Sequence, residues 1–223
     1  MKFTMEVWDR WQAWVLRIKE DLQSVVDDHA VFDEFREMVN ENGDWIDRNH
    51  GQVWVGFVAR AYGSHIASGI RRHIKNSKDS VSLMRLMTQM KVAASSVTYE
   101  FFLERFPPGE GEVPWQADTF ALLSVDGQTL CSARIATDIE KTGCLSQSVE
   151  KLVDHSIAHL DKRGYDGLVT FREMTQLVDH YNALTCKYLR FLTGKGHSSL
   201  EASIQDPWQS IFRVRMDRSE RQR

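Results

Sequence analysis

The chain has 223 residues, of which 42% are hydrophobic and 26% are charged. These shares are typical of globular domains and argue against a disordered chain, and the length is sufficient for one domain with a buried core. The formal net charge of −3 argues against binding of polyanions by the whole surface, although it is compatible with a local basic site.

Apolar residues at steps of three and four predict a series of helices in the first half of the chain. The predicted helices cover about residues 4–28, 31–42, 51–74, 81–87 and 98–106. Asp79 or Ser80 is the predicted N-cap of the fourth helix. The third helix contains Gly56, Gly63 and Gly69, which lower helix propensity, so we expect another helix to approach closely at these positions.

The second half is predicted to begin with a loop or short irregular insertion over residues 106–143. Asp126-Gly127 is a turn signal within it, so residues 116–139 fit either a helix–turn–helix or a small hairpin. An amphipathic helix is then predicted over residues 145–162, with Gly164 closing it. We therefore place a long regular element directly after the least regular part of the chain.

The last long helix is predicted to begin with the capping-box pattern of residues 170–173 and to end at Gly194. A basic tail, residues 213–223, follows. The predicted fold class is all-α, with long antiparallel helices that form one bundle over residues 1–223.

Membrane insertion and secretion are not expected. No apolar run is long enough to span a bilayer, and the first residues lack the apolar core of a secretory signal. The three cysteines show no paired spacing, which predicts reduced thiols in a cytoplasmic protein.

Ionisable side chains concentrate at the end of the helix predicted over residues 145–162. The motif segment, residues 154–163 with the sequence DHSIAHLDKR, contains two histidines, two carboxylates and two cations. Histidine titrates near neutral pH, so the segment is a candidate for proton transfer or metal binding. On a helical wheel His159 lies at the edge of the apolar stripe, and His155 lies one turn earlier toward the polar side.

Three interpretations of this pair are open. His159 can be a structural histidine at the edge of the core, with His155 solvated. The spacing His155-x3-His159 also suits two zinc ligands on one helical face, although the helix lacks the glutamate of the HExxH pattern. A third ligand would then come from His65, His73 or His180. The third interpretation is metal-free acid–base chemistry on a phosphodiester, with nearby cations holding the phosphate.

Four segments resemble one known family in the same order along the chain. The segment VDHSIAHLDKR resembles the R(D/N)KxIAHxD signature of HEPN-like domains, particularly the abortive-infection U-type family. The other three segments that resemble this family are GIRRHIKNSKDSVSLMRLM, TFREMTQLVDHYNALTCKYLRFL and PWQSIFRVRM. The resemblance covers nearly the whole chain.

This resemblance implies a HEPN-like all-α fold and a homodimer in which two motif helices form a composite cleft. It also implies a metal-independent endoribonuclease, without a cofactor, that acts in phage defence or with a cognate antitoxin. His159 matches the motif histidine and is the implied general acid and base, and Asp154 matches the polar residue that assists it. His155 and Lys162 would contact the phosphate.

The chain departs from the family at the motif arginine, where it has Val153. An isopropyl group cannot anchor the scissile phosphate, so the developing negative charge would lose its main stabiliser. Four cations are candidates to replace the arginine across a dimer cleft: Lys162, Arg163, Arg71 and Arg72.

The same departure favours a rival hypothesis from a different class. In it the chain is a catalytically inactive HEPN module that binds a nucleotide, an RNA or a protein partner such as an antitoxin. The basic tail fits either hypothesis, because arginines there can contact an RNA backbone or only keep a disordered end soluble.

Overall fold

A computed structural model describes residues 3–109, 114–154, 169–201 and 208–213 of the chain. Within these ranges the secondary structure consists of helices, with two isolated β-bridges and no strand, so the predicted all-α class is confirmed. The α-helices are α1 (Met5–Glu41), α2 (Gly43–Arg48), α3 (Gln52–Ile74), α4 (Leu83–Ala93), α5 (Tyr99–Arg105), α6 (Gln116–Ala121), α7 (Ser132–Leu152) and α8 (Phe171–Thr193). None of the described helices has the length and apolar character that a bilayer span requires.

The long helix α1 is the axis of the bundle, and α3 runs antiparallel to it. Tyr62 of α3 stacks on Phe32 with ring centroids 3.7 Å apart, whereas His73, eleven residues later, reaches back to Asp21 of α1. The helix α4 continues in the same direction, because Gln89 accepts a hydrogen bond from the Trp11 indole at 3.2 Å. Together α3 and α4 therefore cover almost the whole length of α1.

The helices α7 and α8 complete the bundle. Helix α8 is antiparallel to α1. At its start the Phe171 ring centroid lies 5.3 Å from that of Phe32, late in α1, and near its end the Phe191 ring centroid lies 5.7 Å from that of Trp8, early in α1. Helix α7 is antiparallel to α8 and packs on α3 and α4. The core is richly aromatic, and its largest fully buried side chains include Trp8, Trp11, Tyr181, Tyr188, Phe102, Phe120 and Phe191.

The first two predicted helices are one helix, which corrects the break predicted between residues 28 and 31. His29 and Phe32 are both buried, so the apolar stripe continues through the charged stretch, and no proline or glycine interrupts the backbone there. The predicted N-cap of α4 was also wrong. Ser82 caps this helix by accepting a hydrogen bond from the Arg85 amide at 3.1 Å.

The prediction of a loop over residues 106–143 was wrong for its second half, because α7 begins at Ser132 and not near Leu145. Its buried residues include Thr142 and Ser146, whose hydroxyl groups contact His180 and Tyr181 of α8. These polar residues interrupt the apolar pattern that would otherwise have marked the helix. Satisfied hydroxyl groups thus take the place of apolar side chains on the buried face.

Between α6 and α7 the chain makes the turn that the Asp126-Gly127 pair predicts. The Asp126 carboxylate accepts hydrogen bonds from the amides of Gln128 and Thr129, and Gly127 has a positive φ of 71°. A single antiparallel bridge, Ser124 to Leu130, closes the turn. Of the two predicted alternatives, residues 116–139 therefore form the helix–turn–helix. One β-bridge takes the place of the two strands that a hairpin would have.

The C-terminal long helix is confirmed as predicted. Thr170 and Glu173 form a reciprocal capping box at its start, and Gly194 ends it in the left-handed region at φ 71°. Of the three glycines in α3, only Gly69 makes the expected close approach, because a Cβ there would lie 2.7 Å from the Val25 side chain. Gly56 and Gly63 face no neighbouring helix at that distance, so this part of the prediction was wrong.

Candidate functional site

Three of the sequence-predicted site residues, Arg71, Arg72 and Asp154, lie within the described part of the chain. The other four, His155, His159, Lys162 and Arg163, lie outside the described residues. The part of the site that can be described therefore consists of the last turn of α3, Asp154 at the start of the motif segment, and the side chains around them.

Arg71 and Asp154 form an ion pair between α3 and the chain just beyond α7. The Arg71 side chain is three-quarters buried, with 25% of its surface exposed, and its Nε atom is buried without a partner among the described residues. The pair joins the end of α3 to the first residue of the motif segment within one chain. Arg71 is thus adjacent to the motif segment in cis and needs no second subunit to reach it.

Arg72 and His73 converge on a single carboxylate, that of Asp21 in α1. Arg72 donates from Nε and Nη2 to the two carboxylate oxygens at 3.1 and 2.9 Å, and His73 donates from Nε2 at 2.8 Å. The His73 hydrogen bond, with a smaller contribution from Arg72 and against the effect of partial burial, holds the Asp21 pKa well below its usual value of 3.8. Asp21 therefore stays ionised throughout the physiological range.

The imidazole of His73 is only 2% exposed, and it lies deeper in the bundle than either arginine. Its Nδ1 atom is buried and has no hydrogen-bond partner within the residues that the structure describes. The ring lies 6.5 Å from that of Tyr181, whose hydroxyl group is 3.2 Å from that of Ser146. Burial raises the pKa of Tyr181, which keeps the phenol neutral.

Val153, at the position of the motif arginine, is 4% exposed and belongs to the hydrophobic core. An arginine at this place would have to bury its guanidinium group or move the backbone. Position 153 therefore contributes to packing of the core. The guanidinium group that contacts the first residue of the motif segment, Asp154, is that of Arg71.

The local charge differs in sign from that of the whole chain. Residues 71–91, which we call the basic end, contain six lysines and arginines and one aspartate, a net charge of +5 against −3 for the chain. Arg85 is held in place here, because it lies 4.7 Å over the Trp14 ring and donates to the Ser80 carbonyl at 2.7 Å. Lys75 and Lys78 are exposed.

Sequence reasoning missed Asp21. It lies at the edge of the apolar stripe of α1, between the buried residues Ile18 and Leu22. A lone carboxylate at such an edge is the signal that could have found it. Its pairing with Arg72 and His73, however, depends on the register of α1 against α3, which the sequence does not state.

The histidines considered as a third metal ligand each have a separate hydrogen-bond partner. His65 contacts Asp28 at 2.8 Å, His73 contacts Asp21, and His180 contacts the Thr142 hydroxyl at 2.9 Å. Among the described residues no group of three or more histidines, cysteines or carboxylates could hold a metal ion. The described region thus supplies hydrogen-bonded histidines and a cationic helix end.

Compared with protein-family models, with curated proteins and with solved structures, the chain matches none of them.

Proposed function

We propose that the chain is a HEPN-like RNA-binding protein and metal-independent endoribonuclease of the phage-defence or toxin–antitoxin type. The observation that carries the proposal is the ion pair between Arg71 and Asp154. It places a guanidinium group beside the first residue of the motif segment, where the resemblance calls for an arginine and Val153 cannot serve. Arg71 takes over the role of the motif arginine from within the same chain.

The proposed chemistry divides between a proton carrier and a charge stabiliser. His159 acts as the general acid and base on the scissile phosphodiester. Arg71 exchanges its contact with Asp154 for one with a phosphate oxygen and stabilises the negative charge that develops in the transition state. His155, Lys162, Arg163 and Arg72 hold the flanking phosphates. No metal ion or cofactor takes part.

The charge of the basic end supports RNA as the ligand. A net charge of +5 on residues 71–91 favours an RNA backbone, even though the whole chain is acidic. Binding through such contacts releases counterions, so the affinity falls as the salt concentration rises. The proposal also includes a cytoplasmic homodimer, in which the motif segments of two subunits meet, and a cognate antitoxin or other protein partner.

A second candidate function has an observation of its own. Val153 is packed in the core, and Arg71 and Arg72 are both paired with carboxylates of the same chain. A cation that must first leave an intramolecular partner binds phosphate less strongly. These facts favour a catalytically inactive HEPN module that binds RNA, a nucleotide or a protein partner without cleaving it.

The test is cleavage and binding of a labelled single-stranded RNA in the presence of EDTA. We expect the wild type to cleave, and His159→Ala to bind without cleaving. Removing a single charge-stabilising donor typically lowers kcat by about 10²–10³, and we expect a loss in this range for Arg71→Ala and partial recovery for Arg71→Lys. Arg60→Ala is the matched control, because Arg60 is exposed on the same helix outside the basic end.

Binding by all variants without cleavage by any would favour the inactive module. If wild type and Arg71→Ala neither cleave nor bind RNA, both RNA hypotheses fail. Cleavage that appears only on addition of Zn²⁺ would contradict the metal-independent mechanism and favour the zinc interpretation of the two histidines.

A further inference from the structure

The helix α2 and the opposite end of α3 expose a cluster of large apolar side chains. Trp45 is 62% exposed, Trp54 55% and Phe57 54%, and Trp54 stacks on Phe57 with ring centroids 5.6 Å apart. Scattered exposed apolar residues need no explanation, but a contiguous aromatic patch marks an interaction surface. It lies about 26 Å from Arg71 along α3, at 1.5 Å per residue between positions 54 and 71.

The patch lines a groove between α1, α2 and α3, which we call the α1–α3 groove. Two cavities of about 480 and 510 Å³ make up the groove, and both are lined by Phe35, Trp54 and Phe212. Their shared lining means that the two cavities are neighbouring parts of one apolar trough. Phe212 lines both cavities and comes from the C-terminal part of the chain.

A short segment of the chain itself already lies in this groove. The 3₁₀ helix Trp208–Arg213 is held by hydrogen bonds from the Trp208 indole and the Gln209 amide to the Glu34 carboxylate, at 2.9 and 2.5 Å. The ring centroids of Phe212 and Phe35 are 6.1 Å apart, yet 48% of the surface of Phe212 remains exposed. The segment thus uses two aromatic anchors, four residues apart, and leaves part of the groove uncovered.

The surroundings of the groove are acidic. Residues 27–60, which we call the acidic end, contain eight aspartates and glutamates and three arginines, a net charge of −5. A second copy docking through the same face would bring two such charges together, which opposes a symmetric dimer here. The same charge repels nucleic acids and anionic lipids, and it attracts a cationic partner.

We propose that the α1–α3 groove binds a short cationic helical segment of a partner protein, with two aromatic anchors one turn apart and arginines after them. The chain's own segment shows that the groove accepts two aromatic side chains, those of Trp208 and Phe212. In the sequence these two residues are followed by five arginines in residues 213–223, and a partner of the same pattern would bring cations to the acidic end. The partner displaces this segment, its aromatic side chains enter the two cavities, and its cations face the acidic end. This proposal does not depend on the RNA site.

The experiment uses the full-length chain and a fluorescein-labelled peptide with the sequence of residues 207–223. Fluorescence anisotropy measures the affinity of the wild type and of the double variant Trp208→Ala/Phe212→Ala, which vacates the groove. We expect the vacated variant to bind the peptide at least tenfold more tightly, because the peptide no longer competes with the internal segment. A peptide with all five arginines changed to glutamate should bind at least tenfold more weakly.

Further substitution in the vacated variant locates the binding. We expect Trp54→Ala/Phe57→Ala to lower peptide affinity at least tenfold, and Val92→Ala to leave it unchanged, because Val92 is 63% exposed on α4 outside the groove. All these side chains are exposed or are surface anchors, so circular dichroism should show an unchanged fold. RNA binding should be the same in all variants, which separates this test from that of the proposed function.

Three results would overturn the proposal. The first is equal affinity for the arginine and glutamate peptides, which would mean that charge does not select the partner. The second is equal peptide affinity of the wild type and the vacated variant. The third is a dimer of the vacated variant, detected by light scattering and abolished by Trp54→Ala, which would make a second copy the occupant.

Discussion

The two ends of α3 differ in which side chains are paired and which are exposed to solvent. At the basic end, Arg71, Arg72 and His73 are each paired with a carboxylate outside α3. At the acidic end, Trp54 and Phe57 lie on the same helix with more than half of their surface in solvent. The last turn of α3 is thus tied to the rest of the chain by ion pairs, whereas its first turns expose apolar side chains.

Under the two proposals, this contrast separates two kinds of surface. Paired charges in a packed bundle hold side chains in a fixed geometry, which suits chemistry on a bound phosphate. Burying exposed aromatic side chains under a partner is favourable, so an aromatic patch suits the binding of another protein. The predictions below test whether the two ends differ in stability as they differ in structure.

Among the ion-paired residues, the largest loss of stability is expected from Asp21→Asn at the basic end. Asp21 accepts hydrogen bonds from Arg72 at both carboxylate oxygens and from the buried His73 at one of them, whereas an asparagine keeps one accepting oxygen, carries no charge and presents an NH2 donor in place of the other oxygen. We expect urea unfolding to show a loss of about 2 kcal/mol in the free energy of unfolding, because the substitution removes the charge from a partly buried network and places an amide donor against a donor of Arg72 or His73. Asp28→Asn is the matched control at the other end.

In that control the exposed pair between Asp28 and His65 is broken, and the expected loss is below about 1 kcal/mol, since both side chains are about half exposed. Equal losses in the two variants would contradict the contrast between a packed basic end and an open acidic end.

Effects of opposite sign are expected from two glycines of α3. Gly69→Ala should destabilise the fold by about 1–2 kcal/mol, because its methyl group would lie 2.7 Å from the Val25 side chain and force the two helices apart. Gly63→Ala meets no atom within 4 Å and should stabilise the helix by roughly 0.5–1 kcal/mol through its higher helix propensity. Thermal unfolding that moves Tm in the same direction for both variants would refute this account.

The acid sensitivity of the fold should also come partly from Asp21. Its pKa is depressed in the folded state, so its contribution to stability is fully present well above the unfolded-state value of 3.8. As the pH falls through 3.8 the unfolded state takes up a proton and the folded state does not, and stability decreases until the folded carboxylate is itself protonated. Asp21 is 38% exposed, so solvent screening reduces the effect of its lowered pKa on stability. Between about pH 5 and 2, the wild type should therefore lose about 1 kcal/mol more than Asp21→Asn, as measured by urea unfolding at each pH.

The smallest effect on stability is expected from Trp54→Ala at the acidic end. More than half of this side chain is in solvent, so the free energy of unfolding should change by less than about 0.5 kcal/mol. Phe102→Ala, in the fully buried core, is the contrasting variant and should cost about 3–5 kcal/mol. A large loss for Trp54→Ala would mean that the aromatic patch belongs to the core and is not a surface for a partner.

The sequence predicted well those elements whose signals are local. The helix α8 was located at both ends, because a capping box at Thr170 and a glycine at position 194 each act through their own few residues. The turn at Asp126 was found for the same reason, since its carboxylate bonds to amides two and three residues ahead. Within α3, the expected close approach to another helix was found at Gly69 and was wrong for Gly56 and Gly63.

The predictions failed where a distant helix decides the outcome. The start of α7 was missed because its buried face includes Thr142 and Ser146, and their hydroxyl groups become acceptable in the interior only when α8 supplies His180 and Tyr181. The break predicted between residues 28 and 31 of α1 was wrong because Tyr62 of α3 and Phe171 of α8 pack on Phe32 and continue the buried face of α1 past that point.

The sequence by itself therefore determined the all-α class, the two capped ends of α8 and the location of the histidine motif, because these follow from interactions between near neighbours. Only the tertiary structure decided that Arg71 meets Asp154, that Asp21 receives both Arg72 and His73, and that Phe212 lies against Phe35. Each of these contacts joins residues more than fifty positions apart. Their pairing is set by the register of packed helices, which is a property of the whole bundle and is not present in any one segment.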